Sequence, residues 1–189
     1  MNTGMQKALL SVHKGAVYAV DCSPHSGIVA SAGADNDIVI WNPTTNEIVT
    51  KLSGHNDAVT DLKFTPDGAK LVSISAEGQL KVWNLLEYTE LYSRIQISRH
   101  EWISTSPSGH FDGSSKALEL VNYVSGMDVV HVGSLVDEYF SPGLIKRMSE
   151  GESFNDRGDI NYFIGSSTEV AFHITESKKH LITVAQESI

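Results

Sequence analysis

The chain of 189 residues has little cysteine, little proline and a deficit of basic charge, and each shortage excludes something. The single cysteine, Cys22, rules out an internal disulfide and a four-thiolate zinc site, and it fits a reducing, cytoplasmic compartment. Five prolines beside 41% hydrophobic residues exclude a collagen-like or proline-rich disordered chain, so folding is the default. Fourteen Lys and Arg stand against 23 Asp and Glu, a formal charge of −9. The largest basic clusters are the pairs Lys146-Arg147 and Lys178-Lys179, too small to neutralise several phosphates. Neither nucleic acid nor an anionic membrane is therefore an expected partner. Nowhere do about 18 apolar residues follow one another, so no spanning helix is expected. A phosphate-cradling glycine loop, a His-Glu-x-x-His helix, an EF-hand spacing and a dinucleotide fingerprint are all absent from the sequence. The expectation is no cofactor, no metal and no enzymatic activity.

What the chain does contain is a repeat. The segment from His13 to Asn42 aligns without a gap on the segment from His55 to Asn84. His13 pairs with His55, Val17 with Val59, Val20 with Leu62, Pro24 with Pro66, Ser31 with Ser73 and Trp41 with Trp83. Cys22 aligns with Phe64 and reads as a small hydrophobe on an inward position. Apolar residues alternate over short runs bounded by turn residues, the period of half-buried strands. Four strands per unit follow: near Val17–Cys22, Ile28–Ser31, Ile38–Trp41 and Ile48–Leu52, then near Val59–Phe64, Leu71–Ser75, Leu80–Trp83 and Tyr88–Tyr92.

This period, with Gly54-His55, Trp41-Asn42 and Trp83-Asn84, resembles the WD-repeat family of β-propellers over residues 13–93. The resemblance implies a hydrogen-bonded set in each blade: His13, Ser31, Asp35 and Trp41 in the first, His55, Ser73, Glu77 and Trp83 in the second. Val12 stands where the family usually has glycine, and Glu77 where it has aspartate. The same residue types recurring at matching positions read as blade locks and not as a hydrolase triad. The family mostly scaffolds, so the resemblance also implies a protein partner. Its expected surface lies on loops around Gly15–Tyr18, Ala34, Asn56–Thr60 and Ala76, with Tyr18, Ala34, Asp57, Thr60 and Ala76 as its candidate residues.

The register stops after Ser93. Residues 97–150, through Trp102, Pro107, Gly109, Phe111, Asp112, Gly113 and Ser114, resemble the segment that follows the blades in bacterial proteins joining WD repeats to caspase-like peptidases. That resemblance implies an alternative role as an accessory or regulatory segment of such a peptidase system, with the protease absent from this chain. A strand is expected near Trp102–Ser104. One short helix is expected over Leu135–Phe140, capped by Ser134, and a second is opened by Ser141 and Pro142 and stopped at Gly151. His100 and His110 could approach Asp112. Residues 151–159 read as an acidic linker, and strands are expected at Ile160–Ile164, Val170–Ile174 and His180–Ala185.

The expected fold class is mainly β: two four-stranded WD-type blades forming an incomplete propeller, then an α+β extension with short helices and a small C-terminal β segment. The expected domains are 1–93 (the two blades), 94–150 (the extension), 151–159 (the linker) and 160–189 (a short β segment). Two blades alone leave sheet faces to cover, so either self-association or flanking blades are expected to complete the ring.

Overall fold

The computed structural model describes residues 11–125, 128–131, 135–154 and 170–174. The protein is mainly β. The first repeat forms β1 (Val17–Cys22), β2 (Val29–Gly33), β3 (Ile38–Asn42) and β4 (Glu47–Leu52), an antiparallel sheet in the order β1-β2-β3-β4. The second repeat forms β5 (Val59–Phe64), β6 (Lys70–Ser75), β7 (Gln79–Asn84) and β8 (Thr89–Gln96). Two further strands, β9 (Trp102–Thr105) and β10 (Phe111–Gly113), extend that sheet to six, in the order β10-β9-β8-β7-β6-β5.

The hairpins form where the sequence places turn chemistry. Asn42 Oδ1 accepts from Thr44 N (2.9 Å), and Asn84 Oδ1 accepts from Leu86 N (3.0 Å), so each Trp-Asn pair ends a strand with an Asx turn. Asn46 and Tyr88, one repeat apart, both take the left-handed conformation, with φ of 61° and 57°. Asparagine adopts it with little penalty, whereas Tyr88 does so while its ring packs on the core.

The chain divides into two compact units, one of Met1–Ala76 with Val82–Thr89 and one of Glu77–Lys81 with Glu90–Ile189. In the first unit the two repeats pack face to face. Ala30, Ala32, Ile38, Ile40 and Leu52 of the first repeat meet Val59, Leu62, Phe64, Leu71, Trp83 and Leu85 of the second. Asp21 fastens this contact: it receives Lys63 Nζ at 2.8 Å and Phe64 N at 2.9 Å. His25 Nε2 donates to Pro66 O at 3.0 Å.

The opposite face of the first repeat is open. Val17 is 47% exposed where its counterpart Val59 is 0%, and Val20 is 60% exposed where Leu62 is 3%. Cys22 is exposed, which corrects the inward placement expected from its alignment with the buried Phe64. The strand position is equivalent, but burial of Phe64 comes from the first repeat lying over it, and no described element lies over Cys22.

In the second unit, Ile95, Ile103, Phe111, Val121, Leu135 and Tyr139 form a separate core. Helix α1 (Ser115–Leu120) and strands β11 (Val121–Ser125) and β12 (Asp128–His131) follow β10, and sequence periodicity had singled out none of these three. The strand expected at Val170–Ile174 forms as β13 and pairs antiparallel with β11, giving the order β12-β11-β13. The strands expected at Ile160–Ile164 and His180–Ala185 lie outside the described residues. So does Ser134, the expected cap of α2 (Val136–Tyr139), whose N-cap position is held by Leu135. Helix α3 (Leu144–Ser149) starts later than expected: Gly143, not Ser141, holds the N-cap, without a side-chain cap bond. Ser141 instead donates its N–H to Phe111 O (2.8 Å), and Phe140 bridges Phe111, so this segment closes the free edge of β10.

Candidate functional site

Two sets of residues were singled out by the repeat: the polar sets inside the blades and the loop residues beside them. In the first repeat, His13 Nδ1 lies 2.9 Å from Asp35 Oδ1, and His13 Nε2 lies 2.9 Å from Ser31 Oγ. A carboxylate only accepts, so Nδ1 carries a proton, and Nε2 pairs with the Ser31 hydroxyl. Lys14 N also donates to Asp35 Oδ2, at 2.9 Å. Burial would raise the Asp35 pKa, but the His13 imidazole and the Lys14 N–H outweigh it and hold the carboxyl below its usual value.

Trp41 does not join this set. Its indole nitrogen is buried yet has no hydrogen-bond partner among the described residues. The pairing of β3 with β4 shifts register between Ile40 and Trp41, at the residue whose ring would have to reach Ser31.

In the second repeat, Ser73 Oγ lies 2.7 Å from His55 Nε2 and accepts from Trp83 Nε1 at 2.9 Å. Indole is a donor only, so Ser73 accepts from Trp83 while its hydroxyl also pairs with the His55 imidazole. His55, Ser73 and Trp83 are all buried. Glu77 stands exposed in the turn before β7.

These serines are poor nucleophiles. Each hydroxyl is buried inside its blade, Ser31 at 6% and Ser73 at 0% exposure, so neither oxygen is open to a substrate, whatever activation an imidazole neighbour could lend. Among the described residues, no three His, Cys, Asp or Glu side chains gather as metal ligands would.

The loop residues repeat as closely as the strands. Ala34 N donates to Ala16 O, and one repeat on Ala76 N donates to Ala58 O, both at 2.8 Å. Register shifts fall between Val17 and Ala19 and between Val59 and Asp61, leaving Tyr18 and Thr60 as the extra residues. A bulge turns its extra side chain out of the pleat, and both are exposed. Thr60 Oγ1 donates to Ile74 O at 3.2 Å, whereas Tyr18 at 56% exposure has its ring in solvent. Asp57 Oδ1 accepts from Ala58 N at 2.7 Å, two residues before β5 begins. Ala34 and Ala76 are exposed beside these bulges.

Some interactions were missed by reading the repeat as a set of matches. Asp21 and Lys63 occupy equivalent positions with opposite charge, a signal of contact between successive units visible in the alignment itself. Lys81 is buried against Glu90 at 2.5 Å, and nothing in the strand pattern marked it. In the second unit His110 meets Ser141 and not Asp112, whose carboxylate receives Gly113 N (2.9 Å) and Gly143 N (2.8 Å).

The family model described as "WD domain, G-beta repeat" matches residues 4–42 and 46–84. The chain thus carries two WD repeats in a mainly β fold. Translation initiation factor 3 subunit I of Aspergillus oryzae is 38% identical over 63 residues, 33% of this chain and 18% of that protein. Periodic tryptophan protein 2 of Arabidopsis thaliana is 30% identical over 91 residues, 48% of this chain and 10% of that protein. The chain thus spans less than a fifth of the length of either. The solved structure of U3-55K aligns with 51% of this chain and 35% of its own, at 18% identity and a TM-score of 0.43. These two relatives are fungal and plant proteins, which gives no support to a bacterial origin, and the family match ends before residues 97–150.

Proposed function

We propose that this protein is a non-catalytic interaction module whose paired WD repeats present the bulged starts of β1 and β5, with their loops, to a protein partner. The observation that carries the reading is the repetition of outward-turned residues, Tyr18 and Thr60, on a backbone held by identical Ala34–Ala16 and Ala76–Ala58 bonds. Rigid loops on a sheet scaffold are where binding residues concentrate. One relative is by name a subunit of an initiation factor, which supports a role in assembly. A cytoplasmic setting belongs to the same proposal, since the one cysteine is exposed and has no partner in the chain for a disulfide.

The test is affinity capture with the full chain, compared with Tyr18→Ala, Asp57→Ala and Thr60→Ala. Loss of the same captured protein in Tyr18→Ala and Thr60→Ala, with circular dichroism unchanged, is the expected result. Undiminished capture by all three variants would move the interaction to another face.

A further inference from the structure

Helix α3 ends at Ser149 with Glu150 as its C-cap, and beyond it Gly151, with a φ of 88°, takes the left-handed conformation that glycine adopts without strain. Gly151 N donates to Met148 O and Glu152 N to Arg147 O, the paired bonds of a Schellman motif. That motif turns the chain back along the helix and sets Glu152 beside Arg147. Arg147 Nε and Nη2 then donate to the two Glu152 carboxylate oxygens at 2.8 and 2.5 Å. Two residues on, Phe154 lies beneath the guanidinium at 4.5 Å and against the His110 ring, with ring centroids 5.0 Å apart.

What Phe154 packs on is unusual. His110 is only 5% exposed, its Nδ1 meets Ser141 Oγ at 3.1 Å, and its Nε2 is buried with no hydrogen-bond partner among the described residues. Whichever of Nδ1 and Ser141 donates, Nε2 remains a buried polar atom without compensation, which costs stability. The Tyr139 ring also packs against His110, with ring centroids 6.1 Å apart. The outer fastening, the Arg147–Glu152 pair, is by contrast largely exposed, and such pairs hold weakly and are screened by salt.

We propose that Glu152–Phe154 is a strap, held shut by Arg147, that seals His110 and opens when the ion pair is loosened. Opening gives Nε2 water as a partner and so offsets part of the cost of lifting Phe154.

The experiment is ethoxycarbonylation of the full chain by diethyl pyrocarbonate, with each histidine followed by peptide mass. His55, buried in the other unit, serves as the control for global unfolding. In Glu152→Gln, His110 should react roughly twofold to fivefold faster than in the wild type, the range by which losing an exposed ion pair shifts an opening equilibrium. Sodium chloride at about 0.5 M should accelerate wild-type His110 and leave the variant unchanged, since only the wild type has a pair to screen. Phe154→Ala should expose His110 most, while Phe154→Leu keeps it covered. His55 should stay protected throughout. Equal His110 protection in wild type, Glu152→Gln and Phe154→Ala, or acceleration of His55 in step with His110, would overturn the strap.

Discussion

The two repeats are nearly the same sequence pattern in different surroundings. In the second, one face lies under the first repeat, and there Trp83, Ser73 and His55 form a connected buried set. In the first, the equivalent face is open at Val17, Val20 and Cys22, and Trp41 stands apart from His13, Ser31 and Asp35. The difference teaches that the polar lock is not a property of the repeat alone. Trp83, buried in the core where the repeats meet, reaches Ser73, whereas the half-buried Trp41 has an indole nitrogen without a partner among the described residues.

The contrast can be broken most severely at the tryptophans. Trp83→Ala should destabilise by about 3–5 kcal/mol as a buried aromatic, and Trp41→Ala by less than half of that, read from urea midpoints. Equal losses would mean that the two rings are equally covered in solution. Next comes the serine at the centre of each set. Ser73→Ala leaves the Trp83 N–H and the imidazole without their shared partner and should cost about 1–3 kcal/mol, whereas Ser31→Ala removes one bond and should cost about 1.

Gly33→Ala sharpens the comparison from the backbone. A Cβ at Gly33 would lie 1.9 Å from Ala16 O, although the second repeat carries Ser75 at that position. The substitution should cost about 1–3 kcal/mol through a forced shift of β1, and Ser75→Ala should cost much less. A neutral Gly33→Ala would show that the first repeat can relax into the geometry of the second.

Acid offers a milder probe. Asp35 and Asp21 both have folded pKa values below the ordinary 3.8, opposed by burial but overcome by His13 and Lys14 N in one case and by Lys63 and Phe64 N in the other. A depressed carboxyl contributes stability that is fully present above its unfolded pKa and is lost as pH falls through the folded one. Unfolding free energy should therefore fall as pH drops below about 4, and Asp35→Asn and Asp21→Asn should each flatten the slope.

The smallest effect is expected at Cys22. Cys22→Ser should be neutral within about 0.5 kcal/mol, as at an exposed site. The Cys22 thiol should react with a maleimide far faster than a cysteine placed at Phe64 in the Cys22→Ser background. Slow labelling of Cys22 would mean that the open face is covered in solution.

Much of the two repeats was legible because period-two alternation and turn residues are local signals. The eight strands form within a few residues of their expected limits, with Val17–Cys22 and Val59–Phe64 as anticipated. The second unit was harder. Helix α1 and β11 run together at Leu120 and Val121 without a breaker between them, so neither period stands out. Ser141 looked like a helix cap because serine followed by proline is a local start signal, but its N–H is drawn to Phe111, thirty residues earlier. Such a competition is decided by a non-local bond and leaves no mark at the site itself.

The pairing of each histidine with its serine came with the family resemblance; by itself the sequence determined two WD repeats, their strands and turns, and the stop at Gly151. All of these depend on residues close in the chain or one repeat apart. Only the tertiary structure decided that Cys22 faces solvent, that Trp41 stands outside its set and that Phe154 folds back over His110. Those outcomes depend on which surfaces meet, and burial and hydrogen-bond satisfaction belong to the contact and not to either residue that makes it.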